Sequence, residues 1–289
     1  MKILCFGEIL WDVYPDKKYI GGASLNFAGH MAKHGEEAYM LSALGCDDLG
    51  EEAEAVLSRL GISCAYVARL RDKETGKCLV TLDDHSIPSY DLLRDVAYDF
   101  IPCDGVEGDF DVLYFGTLAL RGEENFRSLR RLVRTHSFGE IFSDVNIRPP
   151  FYSRETVRFS VETATVLKMS LEELPAVTDA LDMRGYEDYK RFAHALARAN
   201  SNLKCILITL GGEGAYALDC RTGAEAFCGA RTVPVVSTVG AGDSFSAAFL
   251  YQYLRSKELQ ACVEYATRIA GFVVSRFDAV PDYSPKDFS

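Results

Sequence analysis

The sequence predicts an α/β protein: an open, mostly parallel β-sheet covered on both sides by helices. Two periodicities carry this reading. Short apolar runs of the kind found in buried parallel strands occur at Ile3–Phe6, Tyr39–Leu44, Val112–Phe115, Ile141–Ser143, Thr165–Leu167 and Cys205–Thr209. Between them lie helical patterns, marked by Leu25, Ala28 and Ala32, by Leu49, Ala53, Val56 and Leu60, by Phe126, Leu129 and Val133, and by Tyr189, Phe192 and Leu196. Strand and helix patterns that alternate in this way fold as layers around one sheet. No internal repeat, low-complexity tract or long linker divides the chain, so a single domain over residues 1–289 is expected.

Two stretches break the rhythm. Trp11–Ile20 and Cys64–Leu92 read as short alternating strands joined by turn residues, most clearly over Lys77–Asp83. Segments of about 11–20 and 64–92 are therefore expected to form a small β-sheet outside the main one. In an open α/β sheet the ligand lies at the carboxyl ends of the strands, where such a flap can close as a lid.

Composition excludes several classes. Of the 289 residues, 48% are hydrophobic and 25% charged, which fits a globular chain and neither a disordered nor a membrane protein. A net charge of −11 argues against a nucleic-acid partner, because such proteins neutralise phosphates with a basic face. A small phosphate-bearing ligand remains compatible, since a few amides and one or two cations can hold it. Met1–Ile9 is too short an apolar stretch for a signal peptide or a membrane span, so a cytoplasmic protein without membrane contact is expected. Nine cysteines without a CxxC pair read as reduced thiols with no metal or redox role.

The strongest local signal runs from Val233 to Phe245 and reads as strand, glycine-rich turn and helix. Gly240 and Gly242 let the backbone bring its N–H groups up to an anion, and the helix N-terminus adds its positive end. Asp243 then stands at the helix start, where its carboxylate either accepts a proton from an attacking hydroxyl or caps the helix. A second turn, Thr209–Ala215, places Gly211, Gly212 and Gly214 after an apolar strand, which suits a nucleotide or a tight hairpin. Neither turn has the P-loop or dinucleotide pattern.

Gly21 and Gly22 precede a helix with Asn26 in its first turn, a place where a polyol meets backbone amides, or simply a loop and helix start. Asp12 offers a second carboxylate for sugar hydroxyls. Strand alternation would point Asp144, Asn146 and Arg148 to one side, toward the cleft. Lys168 and Glu173 flank Ser170; a carboxylate there either acts through water on a magnesium ion or is a solvated helix start. His30 and His34 lack the Glu of a metalloprotease-type site and read as surface or core histidines.

In their order along the chain these segments resemble the PfkB or ribokinase family of carbohydrate kinases. Gly21–Asn26 is similar to the family's first signature and Thr238–Asp243 to its second; Asp144–Arg148 and Thr209–Gly214 match intermediate landmarks. Gly7–Asp12, Phe115–Arg121 and Asp144–Tyr152 look most like bacterial fructokinase-type members. The resemblance implies a Rossmann-like three-layer α/β/α ribokinase-type fold with a small β-sheet lid, and an ATP-dependent sugar kinase that converts fructose to fructose 6-phosphate. Ribose, 2-keto-3-deoxygluconate or a nucleoside are alternative acceptors, and a non-catalytic sugar-binding regulator is the alternative of another class. It further implies Asp243 as catalytic base, with the amides of Ala241, Gly242 and Asp243 after Gly240 as anion hole. Asp12, Gly22, Asn26 and Arg148 would hold the sugar; Lys168, Glu173, Thr209, Gly211 and Gly214 would lie near ATP or its Mg2+, with Glu173 reaching the metal through water. Family members often pair as homodimers through their lids.

Four departures stand out. Ser237 replaces the Asp that begins the second signature, a position tied to the monovalent-cation loop, which argues against potassium activation. Ser170 replaces the Asn of an NxxE pattern, Asp278–Pro281 a Gly-Ala-x-Pro-like stretch, and Thr267 a common Asn.

Overall fold

The computed structural model describes residues 1–82, 88–255 and 258–288. Its strands are, in chain order, β1 (Lys2–Phe6), β2 (Leu10–Val13), β3 (Lys18–Gly21), β4 (Glu37–Gly45), β5 (Ser63–Leu70), β6 (Gly76–Leu82) and β7 (Pro88–Leu92). They continue as β8 (Phe110–Gly116), β9 (Phe138–Asp144), β10 (Val166–Ser170), β11 (Cys205–Thr209), β12 (Ala215–Asp219) and β13 (Glu225–Cys228). The helices are α1 (Ala23–Lys33), α2 (Asp48–Leu60), α3 (Glu123–Thr135), α4 (Arg154–Thr163), α5 (Leu174–Ala180), α6 (Tyr189–Ala199), α7 (Ala241–Tyr253) and α8 (Leu259–Val274).

Nine strands form the main sheet in the order β13-β12-β11-β10-β9-β8-β1-β4-β5. All neighbours from β11 to β5 are parallel, while β12 and β13 run antiparallel at one edge. Side chains alternate across this sheet as a period of two requires. Ile3 and Cys5 point into the layer that contains Phe27, Met31, Leu57, Phe249 and Val263, contributed by α1, α2, α7 and α8. Leu4 and Phe6 point the other way, onto Phe126 and Leu129 of α3. Farther along the same face, Ile206 and Ile208 meet Val157, Val177 and Phe192 of α4, α5 and α6. Three layers result, with the carboxyl ends of the parallel strands along one edge.

A second sheet of four strands, β3-β2-β6-β7, stands apart from the first. The expected flap segment 11–20 falls on β2 and β3. The other, 64–92, begins too early: Ser63–Leu70 pairs in parallel with β4 and forms the edge of the main sheet. The crossover helix α2 returns the chain beside β4, where parallel pairing satisfies the backbone of β5. Asp83, the last residue of the expected alternation, lies outside the described residues. A second correction concerns Val233–Val236, which is not a strand. Val235 and Val236 are exposed, Pro234 has no N–H to give a ladder, and Val236 and Ser237 bond the Val274 carbonyl at the end of α8.

The small sheet is fixed to the body where β6 begins. Asp47, the N-cap of α2, accepts from Gly50 N at 2.8 Å, from Thr75 N at 2.8 Å and from Thr75 Oγ1 at 2.6 Å. Gly76 follows, so close to the Tyr98 ring that an added Cβ would come within 2.5 Å of it. The Arg121 guanidinium lies over the Tyr98 ring, 4.8 Å from its centroid, and forms a bidentate pair with Asp99, at 2.7 and 2.8 Å. Among the described residues no helix is long and apolar enough to cross a membrane.

Asp47 thus caps a helix and anchors a sheet. Asp47→Ala is expected to lower stability by about 2 kcal/mol, a cap together with the Thr75 contacts, as read from urea unfolding. Burial alone would raise this carboxyl, but the Thr75 and Gly50 donors more than reverse that and hold it below its ordinary 3.8. Its contribution is therefore complete above about pH 4 and lost as pH falls through the depressed value, so wild type and variant should converge in acid.

Candidate active site

Two helix starts meet at the carboxyl edge of the sheet. The first belongs to α1, whose N-cap is Gly22 at φ 116°, with no side chain to cap the helix. The carboxylate of Glu8 does this instead: Oε1 accepts from Ala23 N at 2.8 Å. Only glycine fits at position 22, because an added Cβ would lie 2.4 Å from the Glu8 carbonyl oxygen. Burial raises the Glu8 pKa; two backbone donors and Arg148 oppose the rise, and the charge of Asp243 adds to it.

The second start is that of α7, entered through Gly240 at φ 79°. Asp243 is the third helical residue, and its Oδ2 accepts from Asn26 Nδ2 at 2.7 Å. Protein surrounds this carboxyl and raises its pKa to about 6; Asn26, Lys168 and Arg148 pull down, while Asp144 pushes up. Asn26 is itself buried, and its Oδ1 has no hydrogen-bond partner among the described residues. Of the three amides expected to form an anion hole, that of Ala241 bonds the Thr238 carbonyl at 3.3 Å. Those of Gly242 and Asp243 belong to the first helical turn and have no acceptor four residues back within the helix.

Beneath α7 lies a buried ion pair. Lys168 on β10 faces Asp144 on β9 in register, and Nζ reaches Oδ2 at 2.8 Å. The ammonium lies 3.0 Å from where a Cβ on Gly242 would sit, directly under the helix start. The Ser246 hydroxyl bonds the Gly242 carbonyl at 2.9 Å and stands 3.3 Å from the same Asp144 oxygen. Burial alone would lower the Lys168 pKa, but Asp144, then Glu173 and Asp243, raise it overall. Asp144 was expected to share a strand face with Asn146 and Arg148. The strand ends at Asp144, Asn146 takes φ 39° and turns the chain, and Arg148 emerges exposed while Asp144 is fully buried.

Glu173 is mostly occupied by structure. Its Oε1 accepts from Ile147 N and its Oε2 from Ser170 N at 2.7 Å, tying the end of β9 to the end of β10. Burial and Asp144 raise its pKa, and Lys168 opposes them. Among the described residues no group of three or more His, Cys, Asp or Glu side chains is placed to cage a metal ion. Thr209 lies beside Ser170 at the same edge; Gly211 and Gly214, at φ 57° and 119°, turn the chain from β11 into the antiparallel β12.

A cleft of about 540 Å³ opens between the small sheet, α1 and the segment after α8. Asp12, Asn26, Tyr14, Tyr19, Ser237 and Phe277 are among its walls. Burial raises the Asp12 pKa while Cys78 and Arg148 lower it, and the charge of Arg148 favours the ionised form of Glu8, Asp12 and Asp243 alike. The structure therefore gathers Asp12, Gly22, Asn26, Arg148, Lys168 and Asp243 around one place; Thr209, Gly211 and Gly214 line the edge farther along the sheet. Sequence reasoning passed over Glu8, Tyr14, Tyr19 and Phe277. Only Glu8 left a signal, a charged side chain one glycine beyond a buried strand.

Lys168→Met is expected to leave the Asp144 charge buried and unpaired, at a cost of roughly 3–5 kcal/mol in denaturant unfolding. Adding Asp144→Leu should recover much of that loss, because the charge left unpaired by the first substitution is then removed.

Residues 2–286 match the profile of the pfkB family carbohydrate kinases. A probable chloroplastic fructokinase of Arabidopsis thaliana is 26% identical over 99% of this chain and 80% of its own length. A 2-dehydro-3-deoxygluconokinase of Haemophilus influenzae is also 26% identical, over 94% of this chain and 90% of its own. Among solved structures, a Vibrio cholerae fructokinase with fructose, ADP and calcium bound superposes with a TM-score of 0.83 at 19% identity, covering 99% of this chain and 98% of the other. That likeness shows the ribokinase-type α/β fold. With the family's profile spanning nearly the whole chain, this protein belongs to the pfkB family of carbohydrate kinases.

Proposed function

We propose that this sugar kinase transfers the γ-phosphoryl group of ATP to fructose, giving fructose 6-phosphate, with Asp243 as the base. The observation that carries the reading is the Asn26–Asp243 hydrogen bond, which holds a carboxylate of pKa about 6 at the first turn of α7, beside the cleft. Near neutral pH this group is ionised yet still basic enough to take a hydroxyl proton. The acceptor oxygen then bonds to phosphorus, the bond to the bridging oxygen of ADP breaks, and the proton stays on Asp243. Gly242 and Asp243 amides, with the positive end of α7 and Lys168 below it, meet the charge on the transferred group.

Asp12, Gly22, Asn26 and Arg148 serve the sugar in this reading. Asn26 Oδ1, without a partner among the described residues, accepts from a hydroxyl. Thr209, Gly211 and Gly214 serve the nucleotide. Magnesium arrives with ATP and keeps much of its water shell; each Glu173 oxygen has a lone pair left after its backbone bond, enough to receive one of those waters. The small sheet acts as a lid, through which two copies pair, and the protein works in the cytoplasm. Fructose is favoured by the fructokinase-type segments and by fructokinases among the relatives; a 2-dehydro-3-deoxygluconokinase and a nucleoside kinase among them define the competing acceptors.

The test is ADP release with Mg-ATP and fructose, ribose, 2-keto-3-deoxygluconate, tagatose or adenosine, in sodium and in potassium salts. Fructose-dependent turnover, indifferent to potassium, is expected, and Asp243→Asn should lose on the order of 10²–10⁴ in rate. Preference for another acceptor would reassign the substrate. Saturable sugar binding with no ADP from any acceptor would replace the kinase with a sugar-sensing regulator.

A further inference from the structure

His30 is fully buried on α1, one turn beyond Asn26, and the reaction as described leaves it without a role. Both ring nitrogens are engaged: Nε2 lies 2.9 Å from the Ala279 carbonyl oxygen and Nδ1 lies 2.8 Å from the Tyr283 hydroxyl. A carbonyl only accepts, so Nε2 carries the proton, and Nδ1 receives the hydroxyl hydrogen of Tyr283. This arrangement uses the neutral ring. Burial drives its pKa down to about 3, with His34 and Lys33 adding to the effect against the Ala279 bond. A leucine would fill the space without a polar ring to satisfy, so the imidazole serves placement better than packing.

The carbonyl that His30 holds is also the floor of the glycine turn. A Cβ on Gly240 would come within 2.6 Å of the Ala279 carbonyl oxygen and 2.8 Å of Ala279 Cα and Cβ. On the same helix, Gly29 packs against Val280, whose Cγ1 would lie 3.0 Å from an added Cβ. Phe277, at the other end of this short strap, meets Tyr19 of β3 in a tilted pair with ring centroids 4.7 Å apart. One helix thus touches both halves of the reaction centre: Asn26 holds Asp243, and four residues later His30 holds the strap that backs Gly240.

We infer that His30 is a positioning residue for the phosphate-binding turn, setting Gly240 through Ala279 at a fixed height above the helix that also aims Asp243. The inference rests on reading Gly240–Asp243 as the phosphate site. It is tested with His30→Leu, which keeps bulk and removes the donor, and His30→Gln, whose side-chain amide still donates. In folded His30→Leu, loss of this bond should cut kcat/KM for ATP roughly 10-fold, with the KM for sugar changed less than about 2-fold. His30→Gln should regain most of the loss. Amide hydrogen exchange over residues 237–245 should be faster in His30→Leu and near wild type in His30→Gln, a readout that needs no sugar. If wild type phosphorylated no sugar, the kinase reading would fail while the exchange comparison still decided the role of His30. Unchanged exchange at the turn in His30→Leu, or equal damage in both variants that tracks lost thermal stability and both substrates alike, would overturn the inference.

Discussion

One hydrogen bond joins residues 217 positions apart and brings the proposed reaction centre together: Asn26 to Asp243. Each partner sits in the first turn or so of a helix, so the bond holds two helix N-termini side by side, where their positive ends add. Both starts depend on glycine. Gly22 must leave room for the Glu8 backbone, and Gly240 must lie against Ala279. Replace either contact and the helix that carries its half of the bond has to shift. A shift of a fraction of an ångström matters where a proton and a phosphoryl group move between fixed atoms.

Charge explains the rest of the site. Glu8, Asp12, Asp144, Glu173 and Asp243 gather near Arg148 and Lys168, and burial raises the pKa of Glu8, Asp12, Glu173 and Asp243. Burial, with Asp144 adding to it, makes Asp243 a stronger base than a surface aspartate. The excess of negative charge around it repels a bare polyphosphate. In the proposed reaction the two demands would be reconciled locally, because Lys168 lies beneath the start of α7, whose amides would meet the phosphate, and magnesium would travel with the nucleotide. The same logic separates structure from chemistry among the carboxylates: Glu8 and Glu173 spend oxygens on backbone N–H groups, whereas Asp243 accepts from a side chain at the edge of a cleft.

Much of this was legible in the sequence. Apolar runs such as Ile3–Phe6 and Cys205–Thr209 became strands because a strand buried on both faces has no polar side to disguise it. Gly21–Asn26 and Gly240–Asp243 stood out by their glycines, and Gly22 and Gly240 sit at positive φ against neighbouring backbone, where a side chain has no room. What escaped notice depends on distant parts of the chain. Ser63–Leu70 alternates like a lid strand, yet it pairs with β4, a choice made by the α2 crossover. Val233–Val236 has strand composition but finds no ladder to join. Arg148 brings its charge to bear on Glu8, Asp12 and Asp243 after Asn146 has turned the chain, which strict alternation does not foresee. His30, with His34, read as a surface or core histidine, and its two partners lie some 250 residues away.

The central claim is that Asp243 is a base tuned by burial and steadied by Asn26, and its own titration tests this most directly. Carbon NMR of the labelled carboxyl should show it ionising near pH 6 in the wild-type protein. In Asn26→Ala, which removes a donor to the charged form, the midpoint should move higher, and the acid limb of any turnover should move with it. An ordinary midpoint near 3.8, unmoved by Asn26→Ala, would contradict the account: Asp243 would then be a solvated helix cap, with neither the basicity nor the placement that the reaction requires.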